Sequence, residues 1–348
     1  MKRIVLVAIA LAVAACTPNP DMPAEKQASA TVTLLTHDSF ALSQETIRAF
    51  EEESGIDLEI LSGGDAGTMV AGAVLAAGQP TADVLFGVDN TLVTRAADAG
   101  VFDSYAPIEV DQLRTDLVSS VAGNIVTPVT YGDVCINIDR EWFASNNAEP
   151  PQTLDDLIDP RYRDLLVVQD PGASSPGLAF LLTTVARYGD GWPEYWEQLR
   201  DNDVTVAGSW SDAYFGQFTV SGGDKPIVVS YATSPPAEIV YAEGEPPIQP
   251  KSVALTDGCY QQVEYAGVLA GAQNPDGAHK VIDWLISAPV QADIPLNMFV
   301  FPARNDTPLP DVFTQFAAQP DEPAILEPEF IANNVGRLLT DWDAIMGR

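Results

Sequence analysis

Three groups of residues in this 348-residue chain have the type and spacing to act on another molecule. The stretch Val167 to Leu178, VVQDPGASSPGL, reads as a buried strand that breaks into a loop of small residues and then opens a helix. Asp170, Pro171, Gly172, Ser174, Ser175, Pro176 and Gly177 place free backbone N–H groups at that helix start, where a polar group can be held. The second group is aromatic: Trp210 and Tyr214, an i, i+4 pair in SWSDAYF, then Tyr231 in SYATSP and Phe299 in MFVFP. Flat rings at these positions either fill a core or line a cleft, and spacing alone leaves both open. The third group is polar and follows strand-like runs: Asp38 and Ser39, Asp65, Asp89, and Ser234 in ATSPP. Each is either a plain helix cap or a ligand contact. Together these groups can bind a small molecule, and nothing beside them demands bond chemistry. There is no GxSxG elbow, phosphate-binding GxxxxGK[ST] loop, HExxH or CxxC, and with only His37 and His279 a histidine-rich metal site is not expected.

The elements that must carry these residues alternate. From Thr31, TVTLLT reads as a strand, Ser43 caps a helix that Gly55 ends, and Ile56, Leu58 and Ile60 alternate as a second strand. A helix through Met69, Val70, Ala73 and Val74 follows, then a strand at residues 83–87. Strands separated by helices of this length imply βαβ units, and in open parallel sheets ligands gather beyond the carboxyl ends of the strands. Residues 127–139 change to two β-rich pieces, IVTPVTYG and VCINID, which read as a crossover into a second lobe. There a strand at 165–169, helices at 178–188, 192–201 and 209–218, and strands at 204–206 and 227–231 are expected. Residues 253–270 return through a β-rich segment, 275–285 have helical spacing, and Pro328 to Met346 form an amphipathic C-terminal helix.

Composition narrows the partners. Seventeen basic against 49 acidic residues give a net charge of −32, which argues against nucleic acid and against an electrostatic grip on anionic lipid. Lys2 and Arg3 precede an apolar run too short to span a bilayer, so residues 1–16 read as an export signal. That run ends VAAC, which resembles a bacterial lipoprotein box with Cys16 as the lipidated residue, and residues 17–30 read as a flexible tether. An exported, lipid-anchored protein, periplasmic or at the cell surface, is therefore expected. Cys135 and Cys259 are then either a disulfide or, for Cys135, a reactive thiolate needing a nearby base.

The order of motifs adds a resemblance. THDSF at 36–40, ADVLFGVDN at 82–90, VTYGDVCINID at 129–139, QDPGASSPGL at 169–178, GSWSDAY at 208–214, VVSYATSP at 228–235, QVEYA at 262–266 and FVFPARN at 299–305 are similar to the thiamine-binding components of bacterial ABC importers. These lie within the wider group of extracellular solute-binding proteins. The resemblance implies a two-lobed α/β fold of the periplasmic binding protein type II class, with mainly parallel sheets flanked by helices and two crossover strands as hinge. It implies one lobe from residues 31–128 plus 261–304 and another from 129–260 plus 305–348. It implies a monomeric binding protein rather than an enzyme, delivering thiamine or its phosphates to ABC permease subunits, with no cofactor or metal. Trp210, Tyr231 and Phe299 match ligand-surrounding positions of the family, and Asp38, Asp89, Ser174 and Ser175 match its polar loops. The serine loop is further expected to accept the phosphate of thiamine monophosphate. Two positions depart: Ala237 stands where relatives have an aromatic, and Phe299 replaces a tryptophan. The rivals are a binder of polyamines or other cations, and a thiamine-cleaving transferase of similar fold using Cys135.

Overall fold

The computed structural model describes residues 30–117 and 125–348, so Cys16, the export signal and nearly all of the tether lie outside the described residues. Among the described residues ten strands form one sheet: β1 (Ala30–Thr36), β2 (Ile56–Ser62), β3 (Val84–Asp89), β4 (Phe102–Asp103), β5 (Thr127–Asp139), β6 (Leu166–Gln169), β7 (Thr205–Ala207), β8 (Ile227–Tyr231), β9 (Ser252–Leu269) and β10 (Phe301–Pro302). Their order is β2-β1-β3-β9-β5-β8-β6-β7, with β4 added to β9 and β10 to β5. The β2-β1-β3 end and the β8-β6-β7 end are each parallel, as the strand–helix alternation requires. Between them β5 and β9 run antiparallel to each other and to their neighbours, and carry the chain across from one end to the other.

Local signals explain most element limits. The Ser43 Oγ accepts the Thr46 N–H and caps helix Gln44–Ser54, while Gly55 ends it at φ +69°, a conformation that suits a residue without Cβ. The two β-rich pieces at 127–139 are one continuous strand. Register shifts at Pro128/Thr130 and Val134/Ile136 accommodate the proline and break the hydrophobic pattern into two. Instead of an ordinary helix at 209–218, the chain makes a π-helical turn at Asp212–Gln217, and this wider turn carries Tyr214 and Phe215. Among the described residues no helix is long and apolar enough to cross a membrane.

The β6–β8 end has a core of aromatic edges. Buried Trp196 meets Phe180 and Trp342 at ring distances of 5.5 Å each, and its indole N–H donates to Thr184 Oγ1 at 2.9 Å. Trp342 belongs to helix Pro328–Met346, which docks on helix Trp192–Asp201 through this contact. In the centre, Cys135 of β5 and Cys259 of β9 form a buried disulfide across 124 residues of sequence. Replacing both cysteines with serine is expected to lower unfolding free energy by about 2–5 kcal/mol, because the long loop between them is freed in the unfolded chain. Urea unfolding of the two proteins checks this; midpoints equal within error would contradict it.

Candidate functional site

The turns after the parallel strands of both ends converge on one cavity of about 300 Å³. From the β1–β3 end come His37, Asp38 and Ser39 after β1 and Asp65 after β2. Ser175 after β6, Trp210, Ser211, Tyr214 and Phe215 after β7, and Tyr231, Ser234, Ala237 and Tyr241 from β8 onward approach from the other end. Glu264 of β9 and the segment Asn297–Val300 complete the wall. This is the geometry expected for parallel sheets, in which strand ends and helix starts meet at one edge.

Asp65 holds the two ends together. It caps helix Ala66–Leu75, with Oδ1 accepting the Ala66 N–H at 2.6 Å. The same oxygen accepts the Ser175 N–H at 3.3 Å, and Oδ2 accepts the Trp210 N–H at 2.8 Å. Burial pushes the Asp65 pKa above its ordinary value, although the N–H groups of Trp210 and Ala66 and the charge of His37 favour the ionised form. Beside it the Thr68 N–H donates to the Ala173 carbonyl at 3.0 Å. Gly67 permits this approach, since a Cβ there would lie 2.6 Å from the Ala173 oxygen. The serine loop therefore already serves a carboxylate of the same chain, and the N–H of Ser175 is engaged before any phosphate arrives.

The rings form a partial cage. Trp210 stacks on Tyr214 with centroids 5.0 Å apart and meets Tyr231 at 6.4 Å and Phe215 at 5.5 Å, both edge-on. Its indole N–H donates to Ser230 Oγ at 3.0 Å, and Ser230 pairs with Ser234 at 2.9 Å, so the ring is fixed from behind. Phe299 adopts φ +54°, a strained conformation for an aromatic residue, and its ring meets Tyr241 at 5.4 Å. Phe215 and Tyr241 are 61% and 63% exposed, so large apolar faces stand open at the cavity wall. No lysine or arginine lines the cavity among the described residues, whereas Asp38, Asp65 and Glu264 do.

Two expected residues do not reach it. Asp89 is fully buried and turned back on its own chain, where it accepts hydrogen bonds from the N–H of Thr91, the Thr91 hydroxyl and the N–H of Leu92. It acts on the cavity at one remove: Gln262 donates to Asp89 and to Ser175 Oγ, and accepts from the Tyr231 hydroxyl. Ser174 is buried in the first turn before helix Ser175–Tyr188, its N–H donating to the Asp170 carbonyl. Asp38, Ser39, Asp65, Ser175, Trp210, Tyr214, Tyr231, Ser234 and Phe299 all line the cavity. The sequence expectation omits Glu264, Phe215, Tyr241 and Met298, and weighs His37 only as a metal ligand. For Glu264 a signal existed: with Gln262 it forms a polar pair at i, i+2, and so on one face of the strand, just before the apolar run Tyr265–Leu269.

A family described as bacterial extracellular solute-binding protein matches residues 79–324. The chain belongs to that family. Within it the chain is 30% identical over 328 residues to the thiamine-binding periplasmic protein of Brucella suis, covering 92% of this chain and 94% of that one. To the thiamine-binding periplasmic protein of Escherichia coli K12 it is 28% identical over 324 residues, covering 91% and 94%. Among solved structures, a periplasmic thiamin binding protein superposes with a TM-score of 0.80 at 26% identity over 91% of this chain and 96% of that chain. The periplasmic binding protein AfuA from Actinobacillus pleuropneumoniae shares the fold alone, with a TM-score of 0.77 at 16% identity over 91% of this chain and 99% of that one. The architecture is thus that of the two-lobed type II periplasmic binding proteins, and the role of this family member is to bind a solute for import.

Burial raises the Asp89 pKa to about 6, and the charge of Glu264 adds to the rise, while Thr91 and Gln262 oppose it. A carboxyl whose folded pKa lies above its unfolded 3.8 binds its proton more tightly when folded, so its contribution to stability is greatest in acid and is lost as pH rises through 6. Asp89→Asn is therefore expected to gain stability relative to the parent by on the order of 1–2 kcal/mol between about pH 5 and pH 8. Urea titrations at the two pH values test this; a difference that is flat or narrows with rising pH would contradict it.

Proposed function

We propose that this protein is the substrate-binding component of an ABC importer, capturing thiamine, free or phosphorylated, in the cavity and delivering it unchanged to a membrane permease. Lobes of residues 31–128 plus 261–304 and 129–260 plus 305–348 close on the ligand about β5 and β9, and Cys16 carries the lipid that keeps the monomer at the membrane. One observation carries the reading of the ligand: among the described residues the cavity is walled by six aromatic rings and three carboxylates, with no basic side chain other than a histidine. Thiamine joins a thiazolium cation to an aminopyrimidine. The cation finds ring faces at Trp210 and Tyr231, each contact being worth about 0.5–2 kcal/mol when water is excluded. Asp38 and Asp65 supply negative potential, and Ser39, Ser175 and Ser234 supply hydroxyls for the ring nitrogens. The volume lies at the lower end of the usual range for small-molecule pockets, about 300–1,000 Å³. Phe215 and Tyr241 restore ring surface that Ala237 and Phe299 give up. The names of the relatives, thiamine-binding periplasmic proteins, agree with this chemistry.

The rivals meet specific obstacles. A polyamine calls for carboxylates spread along its length more than for stacked rings. A transferase using Cys135 needs a free thiolate, and that sulfur is buried in a disulfide away from the cavity. Titration calorimetry with thiamine and with spermidine separates the readings. Thiamine is expected to bind saturably and to be recovered intact by mass analysis after incubation with a nucleophile. Trp210→Ala is expected to weaken it about 10- to 100-fold, or about 1.4–2.8 kcal/mol, with the circular dichroism spectrum preserved. Binding of spermidine without thiamine, or cleavage of thiamine, would overturn the proposal.

A further inference from the structure

Two titratable side chains in the cavity wall, His37 and Glu264, remain without a role. Glu264 is 7% exposed, and its Oε2 accepts the Thr130 hydroxyl at 2.6 Å. The other oxygen lies 3.0 Å from His37 Nε2. The imidazole Nδ1 accepts the backbone N–H of Ser39 at 3.2 Å. An acceptor at Nδ1 leaves the proton on Nε2, so the partners assign a neutral ring facing a carboxylate. The ring is seated firmly. Its centroid is 5.6 Å from that of Phe86, and Gly87, at φ +99°, leaves the space it occupies, since a Cβ there would lie 2.3 Å from its Cδ2.

A neutral His37 leaves Glu264 as a buried anion with one hydroxyl donor and no cation, a costly state. Two events relieve it: a second proton on His37, or a cationic ligand in the cavity. We propose that His37 and Glu264 form the charge-selecting pair of the site, with Glu264 the counter-ion of the bound cation and His37 carrying a proton in its place while the site is empty. The incoming cation drives that proton from Nδ1 to a buffer base, and Nδ1 regains the Ser39 N–H. No other bond changes. The charged groups facing His37 are Glu264 from β9, Asp65 from the start of helix Ala66–Leu75 and Asp38 from its own turn, while β3 offers only Phe86 and Gly87. Around Glu264 stand Asp89, Thr130 and the Tyr231 hydroxyl. Burial alone would lower the His37 pKa, but Glu264, Asp65 and Asp38 outweigh it and hold it above the ordinary value. Burial pulls Glu264 the other way, yet His37 and Thr130 keep it below the ordinary carboxylate range. A neutral solute displaces no proton and gains nothing from the pair, so the pair selects for positive charge.

The inference rests on a cationic heterocycle being the ligand, and calorimetry of the full chain with thiamine tests the two separately. In two buffers of different ionisation enthalpy, the binding heat is expected to differ by the amount that release of up to one proton requires. Affinity is expected to rise with pH by up to about tenfold per unit and to level off above the pKa of the empty site. His37→Gln should remove both the buffer dependence and the slope, and Glu264→Gln should remove the proton release and weaken thiamine about tenfold or more. Equal heats in both buffers with a flat pH profile in the unaltered protein would overturn the inference, whatever the variants do, and so would proton release that survives in a folded His37→Gln protein. Failure of the unaltered protein to bind thiamine at any pH would instead overturn the reading of the ligand.

Discussion

One buried carboxylate makes the site possible. Asp65 begins a helix at one end of the sheet, yet two of the three backbone N–H groups it accepts, those of Ser175 and Trp210, belong to the other end. Hydrogen bonds to a charged acceptor in a dry setting are strong, and leaving those N–H groups bare would cost about 1–3 kcal/mol each. The distance between the two halves of the cavity is therefore fixed by a contact that lies in its wall. Everything else in the site is positioned relative to it: Trp210 is anchored at its own backbone N–H, and Ser175 connects through its hydroxyl to Gln262 and thence to Tyr231.

The two long strands supply the complementary constraint. β5 and β9 pair with each other and with neighbours from both ends, so they are a covalent and hydrogen-bonded route between halves whose loops also meet at the cavity. Residues along β9 serve different sides in turn. Glu264 faces the turn after β1, Gln262 reaches both Asp89 and Tyr231, and Cys259 ties the strand to β5. A solute entering the gap meets a surface whose rings come mostly from one half and whose carboxylates come mostly from the other, so its binding engages both halves at once.

Much of this was legible in the sequence because it depends on local chemistry. Caps such as Ser43, Gly55 and Asp65, and apolar runs in strands, follow from neighbours a few residues away, and the rule that ligands sit beyond parallel strand ends then picks out Asp38, Asp65, Ser175, Trp210 and Tyr231. What was not legible depends on pairing across long distances. Asp89 has the same sequence signature as Asp38, but Thr91 and Leu92 turn it inward, and only the register of β3 on β9 shows Gln262 waiting there. Glu264 lies inside a strand rather than after one, so the edge rule passes it over. The π-helical turn that aims Phe215 outward has no distinctive residue pattern, and the strained backbone of Phe299 is imposed by its surroundings.

The most direct measurement is a crystal structure of the protein with thiamine bound. The thiazolium ring is expected inside the cavity, with a centroid within about 6 Å of the Trp210 or Tyr231 ring and on the side of the wall that carries Asp38, Asp65 and Glu264. Thiamine found elsewhere on the molecule, or held in the cavity with its cation facing neither ring nor carboxylate, would contradict the central claim.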